Sequence, residues 1–421
     1  MKKKVFIVFS VIFISFSVLA QSTAFENLDF SASLSTEAGA GLWYTQYSGD
    51  FTVGNLTAQS QLKGFFESSS FLFDGKVSFD AVNRTDDKAE SVSASLKETY
   101  YIYEGEFWAF KIGRQISTWG AADGLEVTNV LCPADYTVIS SDKIVDQKQG
   151  IEAVKFSLNG SKFLVDAYFI PFFTPALLPL KEGSIMNKVL FGEVLEKGIS
   201  VGKMEIPERN IKNCEYALRI GTFLPFADFS LYAFYGFDDI PFQHLEVSAE
   251  GKITLNGEYK RMTMFGFDSS IPVKDITVRL EGAFFPEKKF STVTFETEKH
   301  NEFTALFGLD WMKGDWTVTA QYFLDSIYGN LDFLERRKYE HEATLSISRT
   351  FFGGNLETDF SCIVGLNDFD SVINPGLKYA FTDNFSAKLS AMFYNEGKEK
   401  QGNYGKYKDL SSVILKGEIK F

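Results

Sequence analysis

The sequence predicts an all-β chain: a transmembrane antiparallel β-barrel of about 18 strands, with 16 as the alternative count. Three observations carry that expectation. Segments of roughly ten residues place an apolar side chain at every second position, the period of strands with one apolar face. Tight turns alternate with long connections along the chain, as in a barrel with short periplasmic turns and long extracellular loops. Aromatic residues reach 16% of the 421 residues, 44 of them Phe, in a chain whose apolar content of 45% is ordinary. Alternation explains that pairing of numbers, because it puts the rings on one surface and the polar groups on the other.

The first 20 residues read as a secretory leader rather than as part of the fold. Lys2, Lys3 and Lys4 precede an apolar run from Val5 to Leu19, and Val18-Leu19-Ala20 forms a small-residue cleavage site. The run is too short for a spanning helix, which needs about 20 residues, and no Cys follows the site. Residues 21–421 are then a single barrel domain, expected in the cell outer membrane. Loss of three Lys shifts the net charge from −13 to −16. Such an acidic chain leaves no basic footprint for a nucleic acid. Three His and three Cys are too few for clustered metal ligation, so neither a metal nor a cofactor is expected.

From Leu28 onward the strands follow one another with clear lanes. Phe71, Phe73, Val77 and Phe79 alternate with Asp74, Lys76, Ser78 and Asp80; Phe303, Phe307, Leu309 and Trp311 alternate with Glu302, Thr304 and Asp310. Turns are expected at Ser68–Ser70, Glu104–Glu106, Asn159–Ser161, Pro225–Ala227, Lys313–Asp315, Phe352–Gly354 and Thr382–Asn384. Long connections are expected over 83–90, 115–149, 171–212, 237–252, 286–300, 326–338 and 395–408. The count falls to 16 if the segment 253–267, whose apolar lane shifts near Arg261 and Met262, fails as a strand. Trp108, Tyr216, Tyr235, Trp311, Trp316, Tyr379 and Phe393 stand near lane ends, where interfacial girdles belong. A soluble sandwich, propeller or β-helix fits less well, since strands there average only about 5 to 6 residues.

The densest unusual segment is Gly113-Arg114-Gln115-Ile116-Ser117-Thr118-Trp119-Gly120, continuing through Asp123 to Cys132-Pro133-Ala134-Asp135. A second is Tyr168-Phe169-Ile170-Pro171 through Leu178-Pro179. At these residues the chain resembles a porin-like family of Gram-negative outer-membrane proteins catalogued as a domain of unknown function. Its pattern is a GRQ, a following WG, an Asn-Pro-x-Asp element and a tyrosine/proline run ending in Leu-Pro; supporting stretches extend the similarity over about 107–285. Cys132 stands where that pattern has Asn. The resemblance implies barrel and location and carries no substrate. The final Phe421 on an apolar lane resembles the signature by which outer-membrane proteins engage the barrel assembly machinery, while physically it requires the last strand to pair with the first.

The inward lanes carry both signs: Lys63, Glu67, Asp74, Lys76, Asp80, Lys97, Lys111, Lys155, Asp166, Arg219, Arg279, Glu281, Glu302, Asp310, Glu357, Asp359, Lys388 and Lys416. A polar lining suits a water-filled lumen, because an 18-strand barrel is too wide for side chains to fill. Candidate lumen or constriction residues are Lys111, Arg114, Gln115, Trp119, Asp123, Asp135, Asp166, Arg219, Arg279 and Glu281. In the 115–149 segment, Arg114, Lys143 and Lys148 stand against Asp123, Glu126, Asp135, Asp142 and Asp146, either across a constriction or as the internal pairing of an external lid. The proline-rich segment is expected to pack on the wall, with docking of a partner on an extended polyproline stretch as the alternative.

The expected function is passive diffusion of small polar solutes, with a mild cation preference suggested by the net charge. The alternatives are a transporter of hydrophobic compounds, suggested by 168–180, and a surface structural or adhesive barrel. Expected partners are outer-membrane lipid, the assembly machinery and small solutes. His244, His300 and His341 fall near long-loop strand ends without a catalytic spacing, so no enzyme is expected. Cys132 and Cys214 map to the long-loop side, where one disulfide could form, and Cys362 falls on a lipid-facing lane.

Overall fold

A computed structural model describes residues 27–82, 92–137, 148–180, 184–334, 336–398 and 402–421. The expected leader and Asp142, Lys143 and Asp146 lie outside these residues. In chain order the strands are β1 (Leu28–Gly41), β2 (Phe51–Phe66), β3 (Ser69–Asp80), β4 (Val92–Glu104), β5 (Trp108–Gln115), β6 (Ile151–Asn159), β7 (Phe163–Ile170), β8 (Ser200–Glu205), β9 (Glu215–Leu224), β10 (Ala227–Phe237) and β11 (Phe242–Val247). They continue as β12 (Ile253–Glu258), β13 (Arg261–Val273), β14 (Ile276–Ser291), β15 (Thr297–Lys313), β16 (Trp316–Tyr328), β17 (Tyr339–Phe351), β18 (Leu356–Gly365), β19 (Ser371–Ala380), β20 (Phe385–Asn395) and β21 (Ser412–Lys420). One helix, α1 (Ile185–Glu196), lies between β7 and β8.

Eighteen strands form one antiparallel sheet that closes on itself. The closure is the β1–β21 ladder, with Ser33 opposite Lys420 and Gly41 opposite Ser412. Closure leaves no strand edge to water or lipid, which is why strands can cross a bilayer at all. The remaining three, β8, β11 and β12, make a separate small sheet. This explains the shifting lane at 253–267: the segment is two strands, β12 off the barrel and β13 in it, meeting at Tyr259-Lys260.

Both described chain ends lie at the short-turn end, where connections are two to four residues long. The turn at Lys274-Asp275 is a further member of this set beyond the expected ones, and Lys274 takes a positive φ of 58° there. The opposite end carries the long connections. One of them is shorter than expected, because β14 and β15 run on through 286–300 and leave only 292–296 between them, with a register shift between Phe285 and Lys288.

Burial is inverted relative to a water-soluble protein. On β10, Leu231 is 62% exposed on the outer surface, whereas the inward Tyr232 is 4% exposed. The same holds around the wall, with Phe265, Phe307 and Leu415 outward and Asp268, Gln321 and Asp310 inward and buried. An apolar exterior of this kind is matched to hydrocarbon. Trp108, Trp311, Trp316 and Tyr379 stand outward near the short turns, and Tyr216, Tyr235 and Phe393 near the long loops, so the rings form the two expected girdles. At the first of these, Arg349 stacks its guanidinium 4.7 Å above the Trp316 ring and 4.4 Å above Phe351. Cys362 takes the outward lane with Phe360 and Val364, as expected.

Candidate functional site

The segment after β5 turns into the barrel and packs on the inner wall. Gln115, fully buried, faces inward and donates from Nε2 to the Ala153 carbonyl at 3.0 Å. The chain then places Trp119, Val127, Leu131 and Cys132 against inward side chains from β6 to β15: Ile151 and Ala153, Tyr168 and Ile170, Ala217, Phe234, Met264, Phe285 and Leu306. Trp119 lies with its ring centroid 4.8 Å from that of Tyr232 and 6.0 Å from that of Tyr168. This apolar cluster lies inside the barrel, and burial of its rings is what draws the loop inward.

A second set of contacts fixes the loop's depth. The Glu281 carboxylate on β14 accepts backbone N–H bonds from Ala121 and Ala122 at 2.8 Å each through Oε2, and through Oε1 one from Thr128 N at 2.8 Å and one from Thr128 Oγ1 at 2.6 Å. Gly120 sits so close to this carboxylate, with φ at +85°, that a Cβ there would overlap Glu281 Oε1. Arg279 ion-pairs with Asp310 and donates to the Ala121 carbonyl at 2.7 Å. Gln321 on β16 holds Asp123 from both sides, accepting from its N–H at 3.0 Å and donating to its carbonyl at 2.6 Å. Gly120 N donates to the Tyr232 hydroxyl at 3.3 Å, and that hydroxyl bonds to Asp268. A buried carboxylate is tolerated because its oxygens meet donors that would themselves be unpaired.

The candidate residues divide accordingly. Gln115, Trp119, Asp123, Arg279 and Glu281 come together at the inward loop. Asp166 and Arg219 line the same wall nearer the short turns, Asp166 paired with Lys155 at 3.1 Å and Ser157 at 2.5 Å, and Arg219 donating to Ser230 Oγ at 3.1 Å. Lys111 is inward, its ammonium 3.5 Å above the Tyr100 ring. Arg114 departs from the expectation: it lies on the outward lane with Phe110 and Ile112, pairs with Glu152 at 2.5 Å and donates to the Leu96 carbonyl. Asp135 also departs, because its carboxylate accepts from Thr137 N and Oγ1 in a local turn at the mouth, where its backbone bridges to Leu177. Lys148 pairs with Glu126 at 2.5 Å. Cys132 and Cys214 are both free thiols; Cys132 accepts from Ser117 N, and its burial pushes the thiol up to about 11.

Three elements escaped the sequence reading. Tyr232 and Gln321 anchor the loop, yet only cross-strand register shows that they face it. Helix α1 lies inside the long connection expected over 171–212. Ser184 caps its first turn by accepting from Asn187 N at 3.1 Å, and Gly198 follows it at φ +74°. Its Ile185, Met186, Val189 and Leu190 dock on Val53, Met392, Tyr394 and Ile414, the inner rim of β2, β20 and β21. The connection from β7 therefore reaches the wall opposite to that covered by the first loop.

No protein-family model matches the chain, and no curated protein matches it in sequence. Solved structures match in fold across nearly the whole chain. OccK8 (OprE) of Pseudomonas aeruginosa superimposes with a TM-score of 0.56 at 8% identity, covering 94% of this chain and 98% of that one. Acinetobacter baumannii OccAB1 gives 0.55 at 10% identity, covering 95% and 98%, and OccAB3 of the same organism gives 0.54 at 11%, covering 94% and 99%. The chain has a porin-like barrel fold.

Proposed function

We propose that this protein is an outer-membrane channel through which small polar solutes diffuse passively, with the short turns toward the periplasm and the long loops outside the cell. The observation that carries the reading is the inward loop pinned at Glu281: it covers the wall from β6 to β16, while the wall from β17 through β21 to β3 carries polar inward lanes below the rim on which helix α1 docks. A loop held at mid-wall by paired hydrogen bonds narrows a channel without filling it. Fold-level likeness to OccK8 and OccAB1 supports the same reading, as does the motif resemblance at Gly113-Arg114-Gln115 and Trp119-Gly120. The cation preference suggested by net charge finds little support in the lumen, where Asp166, Asp310, Asp359 and Glu37 each pair with an inward Lys or Arg.

The test is recording from the purified, refolded barrel in a planar lipid bilayer. Discrete, voltage-insensitive conductance steps are expected; a barrel that inserts and stays electrically silent overturns the reading.

A further inference from the structure

The wall left uncovered by the inward loop carries, between its charged side chains, rows of neutral hydroxyl and amide groups that run across neighbouring strands. On β1 to β4, Ser35 stands opposite Thr57, Thr57 opposite Ser78 and Ser78 opposite Ser93, all on the inward lane; Thr57 Oγ1 and Ser78 Oγ are 3.1 Å apart. On β17 to β19 a second row runs from Ser346 through Ser361 to Asn374. Several of the charged groups between the rows are held within the wall. Lys416 pairs with Glu37 at 3.3 Å and Lys388 with Asp359 at 3.7 Å, while Asp74 accepts from the side-chain amides of Gln59 and Gln61 at 2.8 Å each.

We propose, on the basis of the channel reading above, that the solutes this passage favours are neutral and polyhydroxylated: sugars and polyols rather than ions. A hydroxyl both donates and accepts, so a row of them suits a solute that does the same at each carbon. Neighbouring strands lie about 4.8 Å apart, so one row offers hydroxyls at a spacing that several hydroxyls of one solute can meet together. Each such bond is worth little net of the water it replaces, which allows capture without trapping. An ion gains less from a row of hydroxyls, which offers it no counter-charge, and Glu37 and Asp359 already have their cations within the wall.

The experiment combines proteoliposome swelling with D-glucose, potassium glutamate or lysine hydrochloride and a reversal-potential measurement in a potassium chloride gradient. The expected result is faster entry of glucose than of either charged solute, with a reversal potential near zero. The triple variant Thr57→Val/Ser346→Ala/Ser361→Ala should lower the ratio of glucose flux to potassium chloride conductance by about fivefold, the scale of one lost hydrogen bond. If that variant does not fold, the ranking of solutes by the unaltered protein decides. Strong selectivity for potassium or chloride with glucose excluded overturns the proposal, as does an unchanged flux ratio in a folded variant. Absence of both conductance and swelling with every solute overturns the channel reading itself, an outcome distinct from either.

Discussion

Glu281 illustrates how one side chain sets the position of a whole loop. Its two oxygens meet donors from Ala121, Ala122 and Thr128, and removing the acceptor strands backbone N–H groups against an apolar wall at about 1–3 kcal/mol each. Glu281→Ala should therefore release the loop from β14 while leaving the barrel ladder intact. The expected outcome is a larger and noisier single-channel conductance with unchanged heat-modifiable gel mobility; unaltered conductance would mean that the apolar cluster around Trp119 alone holds the loop. Residue placement was legible wherever parity was applied consistently. Gln115 and Arg114 are adjacent on one strand, so a period of two cannot send both inward. Once Gln115 and Lys111 face the lumen, Arg114 belongs outside with Ile112, where Glu152 and the Leu96 carbonyl satisfy it.

Strands and tight turns could be read from the sequence because each is specified locally, by alternation in one case and by Gly, Asn, Asp or Pro in the other. The long connections could not, because their courses depend on walls far away in the chain. Helix α1 docks beside Val53 and Ile414, and the 115–137 segment hangs on residues of β10, β14 and β16. Where these connections meet, Asp239 accepts a backbone bond from Ala176 N at 3.0 Å. Burial, and secondarily the neighbouring Asp238 carboxylate, push the Asp239 carboxyl up to about 7. A folded-state value above the free value means that this group stabilises the junction fully at low pH. That contribution is lost as pH rises through about 7. Limited proteolysis of the membrane-inserted protein should thus show loops more susceptible at about pH 8 than at about pH 5, and Asp239→Asn should flatten the difference. A pH response that persists in the variant would assign it to other groups.

At the scale of the whole molecule the decisive property is that the outside is apolar and the inside polar, so adjacent residues of one strand answer to different solvents. Leu345 and Ser346 on β17 make the sharpest pair: Leu345 is outward and 37% exposed to the surroundings, while Ser346 is inward between Thr319 and Ser361. Arg at a lipid-facing position near the bilayer midplane costs about 2–4 kcal/mol, because the charge must be carried into hydrocarbon. Arg at the inward position meets water and the carboxylates of the lumen. Leu345→Arg should therefore lower the denaturant midpoint of folding into lipid vesicles by that cost, whereas Ser346→Arg should fold nearly as the original does and shift the reversal potential toward chloride. The same comparison would fail in a water-soluble barrel, where a surface Leu→Arg change costs little and a buried Ser→Arg change is severe. Reversal of that order is the result that would remove the membrane from the account of this fold.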